Sequence, residues 1–276
     1  MSVSVAAPRR RQGSGVVLLV ATAFALFLGL PVAALFVRAL LNGALAVAVT
    51  SEVVLTALAL SLVTTAVSLI LTVAIGLPLA FVLARRSFRG TWLVEAIVDL
   101  PIVLPPSVAG LALLLVFGRQ GIIGETLAVA GIEIPFTAVA VILAQTFVAA
   151  PFFIRSARAG LAAVEREIED AARVDGASES YLFRRVTVPL AAGTLAAGIV
   201  MSWARALGEF GATIMFAGNI EGRTQTLPLV VYAEFQAGDL EASVAAAAIL
   251  IVAALGVLLA VRVFHWGRVL DVRGGA

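Results

Sequence analysis

Six long apolar stretches separated by short polar segments run along the chain, and this pattern predicts a membrane protein built of helices. A helix crosses the hydrocarbon layer in about 20 residues, and each stretch has about that length or more. The predicted spans cover residues 15–41, 53–84, 93–117, 136–154, 190–216 and 243–261. Pro101, Pro105 and Pro106 lie in or beside the third span, and each proline removes a backbone donor and strains a regular helix. We therefore expect an all-α fold with six transmembrane helices, the third of them irregular.

The same pattern predicts one domain with short tails. The expected division is a cytoplasmic N-terminal tail, a single transmembrane domain and a cytoplasmic C-terminal tail, over residues 1–14, 15–264 and 265–276. The first apolar run is too long for the 7–15-residue core of a cleaved signal peptide, so we expect it to be retained. Turn-forming residues are frequent in the loops 118–135 and 217–242, and the second loop is expected to hold a short amphipathic helix over about residues 227–236.

The composition supports the membrane assignment and excludes several kinds of chemistry. Of the residues, 62% are hydrophobic and 13% are charged, with a mean hydropathy of +1.09, whereas soluble domains carry about 25% charged residues. The chain has no cysteine and a single histidine, which excludes thiol chemistry and a histidine metal cluster. All 19 basic residues are arginine, and a nucleotide-binding P-loop needs a lysine to reach the phosphates. We therefore expect no cofactor on this chain, and any ATP hydrolysis must occur on a partner.

The arginines are distributed unevenly between the two sides of the predicted membrane topology. Fifteen of the nineteen precede the first span, follow the second, connect the fourth to the fifth, or follow the sixth. The opposite side holds Arg38, Arg119 and Arg223, and Arg205 lies within the fifth span. Because positively charged loops stay in the cytoplasm, both termini and the long fourth-to-fifth loop are predicted to be cytoplasmic.

That long loop contains a charged segment, residues 169–189, with a distinctive spacing. Asp170, Ala171 and Ala172 are followed after three residues by Gly176, and nine further residues separate Gly176 from a Val-Thr-Val-Pro run. Asp175-Gly176 is a helix-end signal, and a serine two residues later can cap a second short helix. The segment is thus expected to form two short helices at an angle, whose small side chains let a partner approach the backbone closely. A loop that merely links two spans is the alternative that periodicity alone leaves open.

The spacing resembles the EAA loop of ABC-transporter permeases, whose pattern is EAA, three residues, Gly, nine residues and Ile-x-Leu-Pro. Asp170 stands where that family most often has glutamate, although Glu169 is adjacent, and Val186 and Val188 replace isoleucine and leucine. The resemblance implies that the loop, about residues 157–189, docks onto a cytoplasmic ATPase that binds the ATP and Mg²⁺. The implied ATPase-coupling residues are Glu169, Asp170, Ala171, Ala172, Arg173, Asp175, Gly176, Ala177 and Ser178.

Two further segments, residues 99–124 and 204–242, resemble the molybdate-type permeases, which are close to the sulfate and tungstate importers. The specific elements are Leu104-Pro105-Pro106, the run ARALGEFG from Ala204 to Gly211, and Ala217-Gly218-Asn219, within a likeness covering about residues 50–262. The resemblance implies the transmembrane domain of a type I ABC importer in a prokaryotic inner membrane. It also implies a homodimer, an extracytoplasmic oxyanion-binding protein as partner and no contact with nucleic acid. Molybdate is the first expectation for the substrate, and sulfate and tungstate stay open.

Arg205 and Glu209 are the opposite charges deep within a predicted span. They are four residues apart, so a continuous helix would place them on one face, and charges inside a membrane usually face a bundle interior or a path. They could form a structural ion pair or belong to a gate that attracts an oxyanion. The expected path or gate residues are Pro105, Pro106, Arg205, Gly208, Glu209 and Gly211. Asp99, in contrast, is expected to be a solvated or capping carboxylate.

Two other classes of protein fit the composition less well. A transporter driven by an ion gradient should show inverted repeats and several acidic residues near the membrane centre. Apart from Glu209, the predicted spans are almost free of acids. An inert membrane anchor would not need the spacing of the charged loop. The sequence therefore favours the membrane subunit of an ATP-driven importer, a chain that is not itself an enzyme.

Overall fold

The computed structural model describes residues 14–273, with side chains for residues 15–46 and 48–259. Every regular element within residues 14–273 is helical. In chain order the elements are α1 (Ser14–Leu41), α2 (Ala44–Ala48), α3 (Glu52–Arg85), α4 (Thr91–Val103), α5 (Pro106–Phe117), α6 (Gly124–Val129), α7 (Ala138–Ala162), α8 (Arg166–Val174), α9 (Glu179–Leu182), a π-helical turn (Phe183–Thr187), α10 (Val188–Leu190), α11 (Ala192–Leu207), α12 (Gly211–Phe216), α13 (Leu227–Gln236) and α14 (Leu240–Arg273). The side chains of both expected tails lie outside the described residues.

The predicted all-α membrane fold is confirmed. Four described helices, α1, α3, α7 and α14, are long and apolar enough to cross a membrane alone. Two bent helix pairs, α4 with α5 and the α9–α10 run with α11, pass the same test of length and composition together, so the described residues contain between four and six candidate spans. The second span matches its prediction closely, because Ser51 accepts a hydrogen bond from Val54 N and caps the start of α3.

The third predicted span is not one helix. Helices α4 and α5 meet at an angle of 118°. The break lies at Leu104 and Pro105, whose ψ angles are 133° and 134°. Each of these residues precedes a proline, and a following proline disfavours the helical conformation of the residue before it. The Pro105-Pro106 pair therefore converts an expected irregular span into a sharp turn between two helices.

The prediction of a single continuous fifth span over residues 190–216 is also wrong. Helix α11 ends at Leu207, the chain turns at residues 208–210, and α12 begins at Gly211. Arg205 lies in the last turn of α11, and Glu209 lies beyond the end of that helix. The two residues therefore do not share a helix face as expected, because Gly208 ends the helix between them.

The ends of the fourth span and of the polar loop also differ from expectation. Helix α7 continues to Ala162, eight residues beyond the predicted end, because Ala157 and Leu161 are buried against the bundle and extend its apolar face. The polar loop therefore starts later than expected, and its first helix, α8, begins only at Arg166. The predicted helix in the loop 217–242 is confirmed with the expected bounds, as α13.

Helix α3 packs against α7 and α11. Its buried face consists mainly of small and hydroxyl-bearing side chains at helical spacing, among them Ser61, Thr65, Ser68, Thr72, Gly76 and Ala80. Small residues allow membrane helices to approach closely. Thr146 Oγ1 of α7 donates to Ser68 Oγ at 3.0 Å, and Leu227 N at the start of α13 donates to Ser61 Oγ at 2.8 Å. Helix α1, by contrast, is almost wholly exposed in a single chain.

Candidate functional site

The polar connector, defined as residues 163–191 between α7 and α11, forms two short helices that meet at a tight turn. Gly176 N donates to Arg173 O and Ala177 N donates to Ala172 O, both at 3.0 Å. This pair of bonds is a Schellman motif, which ends α8 and requires a left-handed residue after the helix. Gly176 supplies that conformation with a φ of 88°. The expected helix end at Asp175-Gly176 is thereby confirmed.

The second helix of the connector begins as predicted. Ser178 Oγ accepts a hydrogen bond of 3.3 Å from Tyr181 N and caps α9. From Phe183 to Thr187 the chain widens into the π-helical turn before it continues into α10. The axis then bends by 74° into α11, so the connector leaves the bundle and returns to it at an angle.

An exposed ion-pair network spans the turn between α8 and α9. Arg173 lies 2.7 Å from Asp170 and 2.7 Å from Glu179, and so bridges the turn. The hydrogen bonds that Arg173 donates to Glu179, and next those to Asp170, hold the pKa of Arg173 above its usual value. The hydrogen bond from Arg173 in turn lowers the pKa of Glu179. Exposed pairs stabilise a protein only weakly; here the network sets the shape of the surface.

The outer face of the connector also exposes apolar side chains that the sequence reasoning did not single out. Val174 is 88% exposed, Tyr181 58% and Ile168 42%, although they lie on strongly charged helices. A shallow groove beside them is lined by Ala172, Asp175, Gly176, Ala177, Ser178 and Tyr181. Exposed apolar side chains rimmed by polar residues are typical of protein–protein contact sites. Most predicted coupling residues therefore lie on one exposed surface.

Glu169 is the exception among the predicted coupling residues. It is buried, and its Oε1 accepts hydrogen bonds from Arg85 Nη2 at 2.7 Å and from Thr187 Oγ1 at 2.8 Å. Arg85 also donates to Val164 O through both terminal nitrogens at 3.2 Å. The carboxylate of Glu169 is therefore buried in the bundle, whereas that of Asp170 is exposed, and the coupling role of Glu169 stays a prediction.

The predicted path or gate residues lie where the two broken helices touch. A Cβ atom on Gly211 would lie 2.8 Å from Pro106 Cβ, so α12 reaches α5 only because residue 211 has no side chain. One turn further along α5, a Cβ on Gly110 would lie 2.6 Å from Ala212 O. The structure thus brings Pro106 and Gly211 together, a contact that their distance in sequence could not predict.

Glu209 connects the two halves of the broken fifth span. Its Oε2 lies 2.7 Å from Arg205 Nη1 on α11, and its Oε1 accepts a hydrogen bond of 2.7 Å from Ala212 N at the start of α12. Glu209 is 1% exposed, whereas Pro105, Pro106 and Gly208 are exposed in the single chain. The expected ion pair is therefore present, and it also caps the helix that follows the break.

Two more ion pairs join α4 to α7 at the connector end of the bundle. Arg158 lies 2.8 Å from Glu95, and Arg155 lies 3.5 Å from Asp99. Asp99 is thus partly exposed and paired with an arginine, and does not cap a helix. Among the described residues, no group of three or more histidine, cysteine, aspartate or glutamate side chains could hold a metal ion.

Comparison with known proteins identifies the family. Residues 76–266 match the family described as binding-protein-dependent transport system inner membrane component. The chain is 44% identical over 206 residues to the molybdenum transport system permease protein ModB of Mycobacterium tuberculosis, covering 75% of this chain and 78% of the relative. A probable molybdenum ABC transporter permease protein of Haloferax volcanii is 40% identical, with 90% and 88% covered. The sulfate transport system permease protein CysT of Salmonella typhimurium is 35% identical, with 77% of each chain covered.

Solved structures show the same fold. A crystal structure of a bacterial ABC transporter involved in the import of the acidic polysaccharide alginate matches with a TM-score of 0.72 at 18% identity, covering 92% of this chain and 94% of that chain. An amino acid ABC transporter matches with a TM-score of 0.55 at 20% identity, covering 77% and 92%. These likenesses confirm the expected ABC-importer fold. With its two broken spans and its exposed connector, the chain belongs to the family of inner membrane components of binding-protein-dependent transport systems.

Proposed function

We propose that this chain is the membrane subunit of an ATP-driven importer for molybdate, which it passes across the membrane by alternating access. The observation that carries the choice of substrate is the 44% identity over 206 residues to a molybdenum transport permease. The chain supplies the path and a docking surface for a separate ATPase, and ATP and Mg²⁺ are bound by that partner. The absence of lysine from the whole chain supports this division of labour.

The ATPase docks on the exposed face of the polar connector. The main support is the combination of apolar side chains such as Val174 and Tyr181 with a groove of small residues around Gly176. Charged residues at its rim, Asp170, Arg173 and Asp175, set the orientation of the partner. The angle between α8 and α9, fixed by Arg173, gives the surface a defined shape before the partner binds.

The connector end of the bundle faces the cytoplasm, and both termini lie on that side. Arg85, Arg86 and Arg89 follow α3 at the end where Arg85 contacts α8, so the connector lies in the arginine-rich part of the molecule. At the opposite side, the loops 118–135 and 217–242 receive an extracytoplasmic oxyanion-binding protein. Two copies form a homodimer with the path between them. The broad exposure of α1 and of Pro105 and Pro106 in the single chain supports such an interface.

The contact between the two broken helices forms part of the path or its gate. Pro105, Pro106 and Gly211 supply irregular backbone, which a membrane tolerates only against protein or a water-filled cavity. Arg205 is the cation of this region and is 28% exposed, so it is able to attract an anion briefly while it stays paired with Glu209. Gly208 provides the turn between the helices.

The proposal is tested by uptake into vesicles that hold this chain with its ATPase and binding protein. Radiolabelled molybdate should enter only when ATP is present on the ATPase side, and unlabelled molybdate should compete more strongly than sulfate or tungstate. Sulfate is the second candidate, because a sulfate permease is 35% identical to this chain. Uptake that sulfate blocks better than molybdate would transfer the assignment to sulfate, and uptake without ATP would contradict ATP-driven import.

A further inference from the structure

Helix α8 is attached to the membrane bundle through a single buried residue. Among its nine residues, all in the described part of the chain, Glu169 alone is buried. The apolar side chains of α8 point the other way, with Ile168 and Val174 exposed. Packing of apolar surface therefore holds α8 to the bundle only slightly, and the contacts of the Glu169 carboxylate carry the attachment.

Those contacts reach two other elements, α3 and the π-helical turn. Arg85, in the last turn of α3, binds Glu169 at 2.7 Å and Val164 O near the end of α7 at 3.2 Å. Thr187, in the π-helical turn, donates to the same carboxylate oxygen at 2.8 Å. The Arg85 side chain is 11% exposed and that of Glu169 5%. A charge-assisted bond that is sheltered from water resists displacement more than an exposed one.

The π-helical turn brings Thr187 to this position. A π turn inserts one extra residue into a helix and so redirects the side chains that follow it, and such turns occur frequently at functional sites. Thr187 is fully buried. At the other end of the turn, the ring of Phe183 packs edge-on against Phe81 of α3, with centroids 4.9 Å apart. The turn is therefore held to α3 by an aromatic contact and to α8 by a hydrogen bond.

We propose that Glu169 is a positioning residue that transmits movement of the docked ATPase to the membrane helices through its buried ion pair with Arg85. This inference rests on the proposed docking of an ATPase at the connector. The two neighbouring carboxylates then have different tasks: Asp170 faces the partner, and Glu169 links α8 to α3. Helix α3 packs against α7 and α11, so a displacement of α8 reaches the spans that surround the path.

The test uses the complete transporter, with its ATPase and binding protein, in vesicles. Three quantities are measured for each variant: the affinity for the ATPase, the rate of ATP hydrolysis, and the molybdate imported per ATP hydrolysed. In Glu169→Gln the shape and the bond from Thr187 are kept while the charge is lost. We expect its affinity for the ATPase to be unchanged and its import per ATP to fall at least about fivefold.

A matched control removes the same charge from the same helix. Glu167 is exposed, and Glu167→Gln should leave the import per ATP unchanged. If Glu169→Gln does not fold, the Thr187→Val variant tests the inference instead. This change keeps the ion pair between Glu169 and Arg85 and removes only the hydrogen bond from the Thr187 hydroxyl to Glu169. Its import per ATP should fall in the same direction by a smaller factor.

The possible failures are distinguishable. Normal import per ATP in a folded Glu169→Gln or Thr187→Val variant would overturn the inference. Release of the ATPase by Glu169→Gln, with normal import per ATP in the complexes that remain, would also overturn it, since Glu169 would then act in docking. The docking proposal itself is tested by Gly176→Asp. If this variant binds the ATPase as well as the unaltered chain does, the docking proposal is wrong.

Discussion

At the scale of single residues, two adjacent carboxylates show how position decides function. Glu169 and Asp170 have the same chemistry, yet Glu169 is buried against Arg85 while Asp170 is exposed and pairs with Arg173. Successive residues of a helix differ by about 100° in direction, so two neighbours can face opposite environments. Burial makes the Glu169 pair sensitive to the loss of either partner, whereas the exposed pair contributes little to stability.

Gly176→Asp tests the docking surface at this scale. Any side chain at Gly176 has to adopt a φ of 88°, which costs about 1–2 kcal/mol, and it projects into the open space of the groove where the partner would lie. We expect the variant to insert into the membrane but to lose ATPase association and transport, as measured by co-purification and uptake.

Gly238 offers a matched control, because it ends α13 with the same Schellman hydrogen bonds and a φ of 83°. Gly238→Asp introduces the same charge and similar backbone strain at a site outside the connector. ATPase association should stay normal in this variant. Equal loss of association in both variants would show that backbone strain, and not the groove, is responsible.

At the scale of elements, the two breaks within the spans are stabilised differently. The break between α4 and α5 is caused by Pro105 and Pro106, because each disfavours the helical conformation of the residue before it. The break between α11 and α12 depends on a side chain, since Glu209 caps α12 and pairs with Arg205. Contact between the breaks requires Gly211, whose hydrogen leaves room for Pro106. The first break is therefore rigid, and the second depends on an ion pair.

Arg205→Ala tests the second break. The change leaves the carboxylate of Glu209, which is 1% exposed, without its charge partner, and breaking a buried pair in this way costs about 3–5 kcal/mol. We expect a clear fall in the midpoint of thermal unfolding in detergent, together with reduced uptake.

The double variant Arg205→Met with Glu209→Gln provides the control. It removes both charges and keeps an amide oxygen to accept from Ala212 N. Its unfolding midpoint should recover part of the loss seen in Arg205→Ala. A single variant as stable as the unaltered chain would show that the ion pair does not hold the break.

At the scale of the whole molecule, the distribution of arginine residues distinguishes the two ends of the bundle. The described ion pairs of α8 with α3 and of α4 with α7 involve Arg85, Arg155 and Arg158, all at the connector end. Because arginine-rich segments stay in the cytoplasm, we propose that the polar connector faces the cytoplasm and that the loops 118–135 and 217–242 face the other side.

Cysteine labelling checks this orientation without background, because the chain contains no cysteine. Asp175→Cys in the connector and Glu221→Cys in the loop 217–242 place one exposed thiol at each end. In intact spheroplasts, an impermeant maleimide should label Glu221→Cys and spare Asp175→Cys until the membrane is permeabilised. Labelling of Asp175→Cys in intact spheroplasts would reverse the proposed topology.

The sequence by itself determined the fold class and the connector. Hydrophobic length sets the spans, and the Asp175-Gly176-Ala177-Ser178 run contains the helix stop and the next cap within four residues. The two prolines indicated an irregular third span, but they did not indicate that α5 packs against α12.

Only the tertiary structure decided which charged residues are buried and which breaks meet. Glu169 binds Arg85, which lies 84 residues earlier in the chain, and Pro106 contacts Gly211. Both contacts arise because α3, α7 and α11 pack together and set the positions of the neighbouring elements. The hydrophobic periodicity of a sequence describes each helix separately. Helix α8 has one buried residue, Glu169, so its sequence contains no apolar stripe that would show which side faces the bundle. Contacts between residues distant in sequence arise from packing, which no local pattern contains.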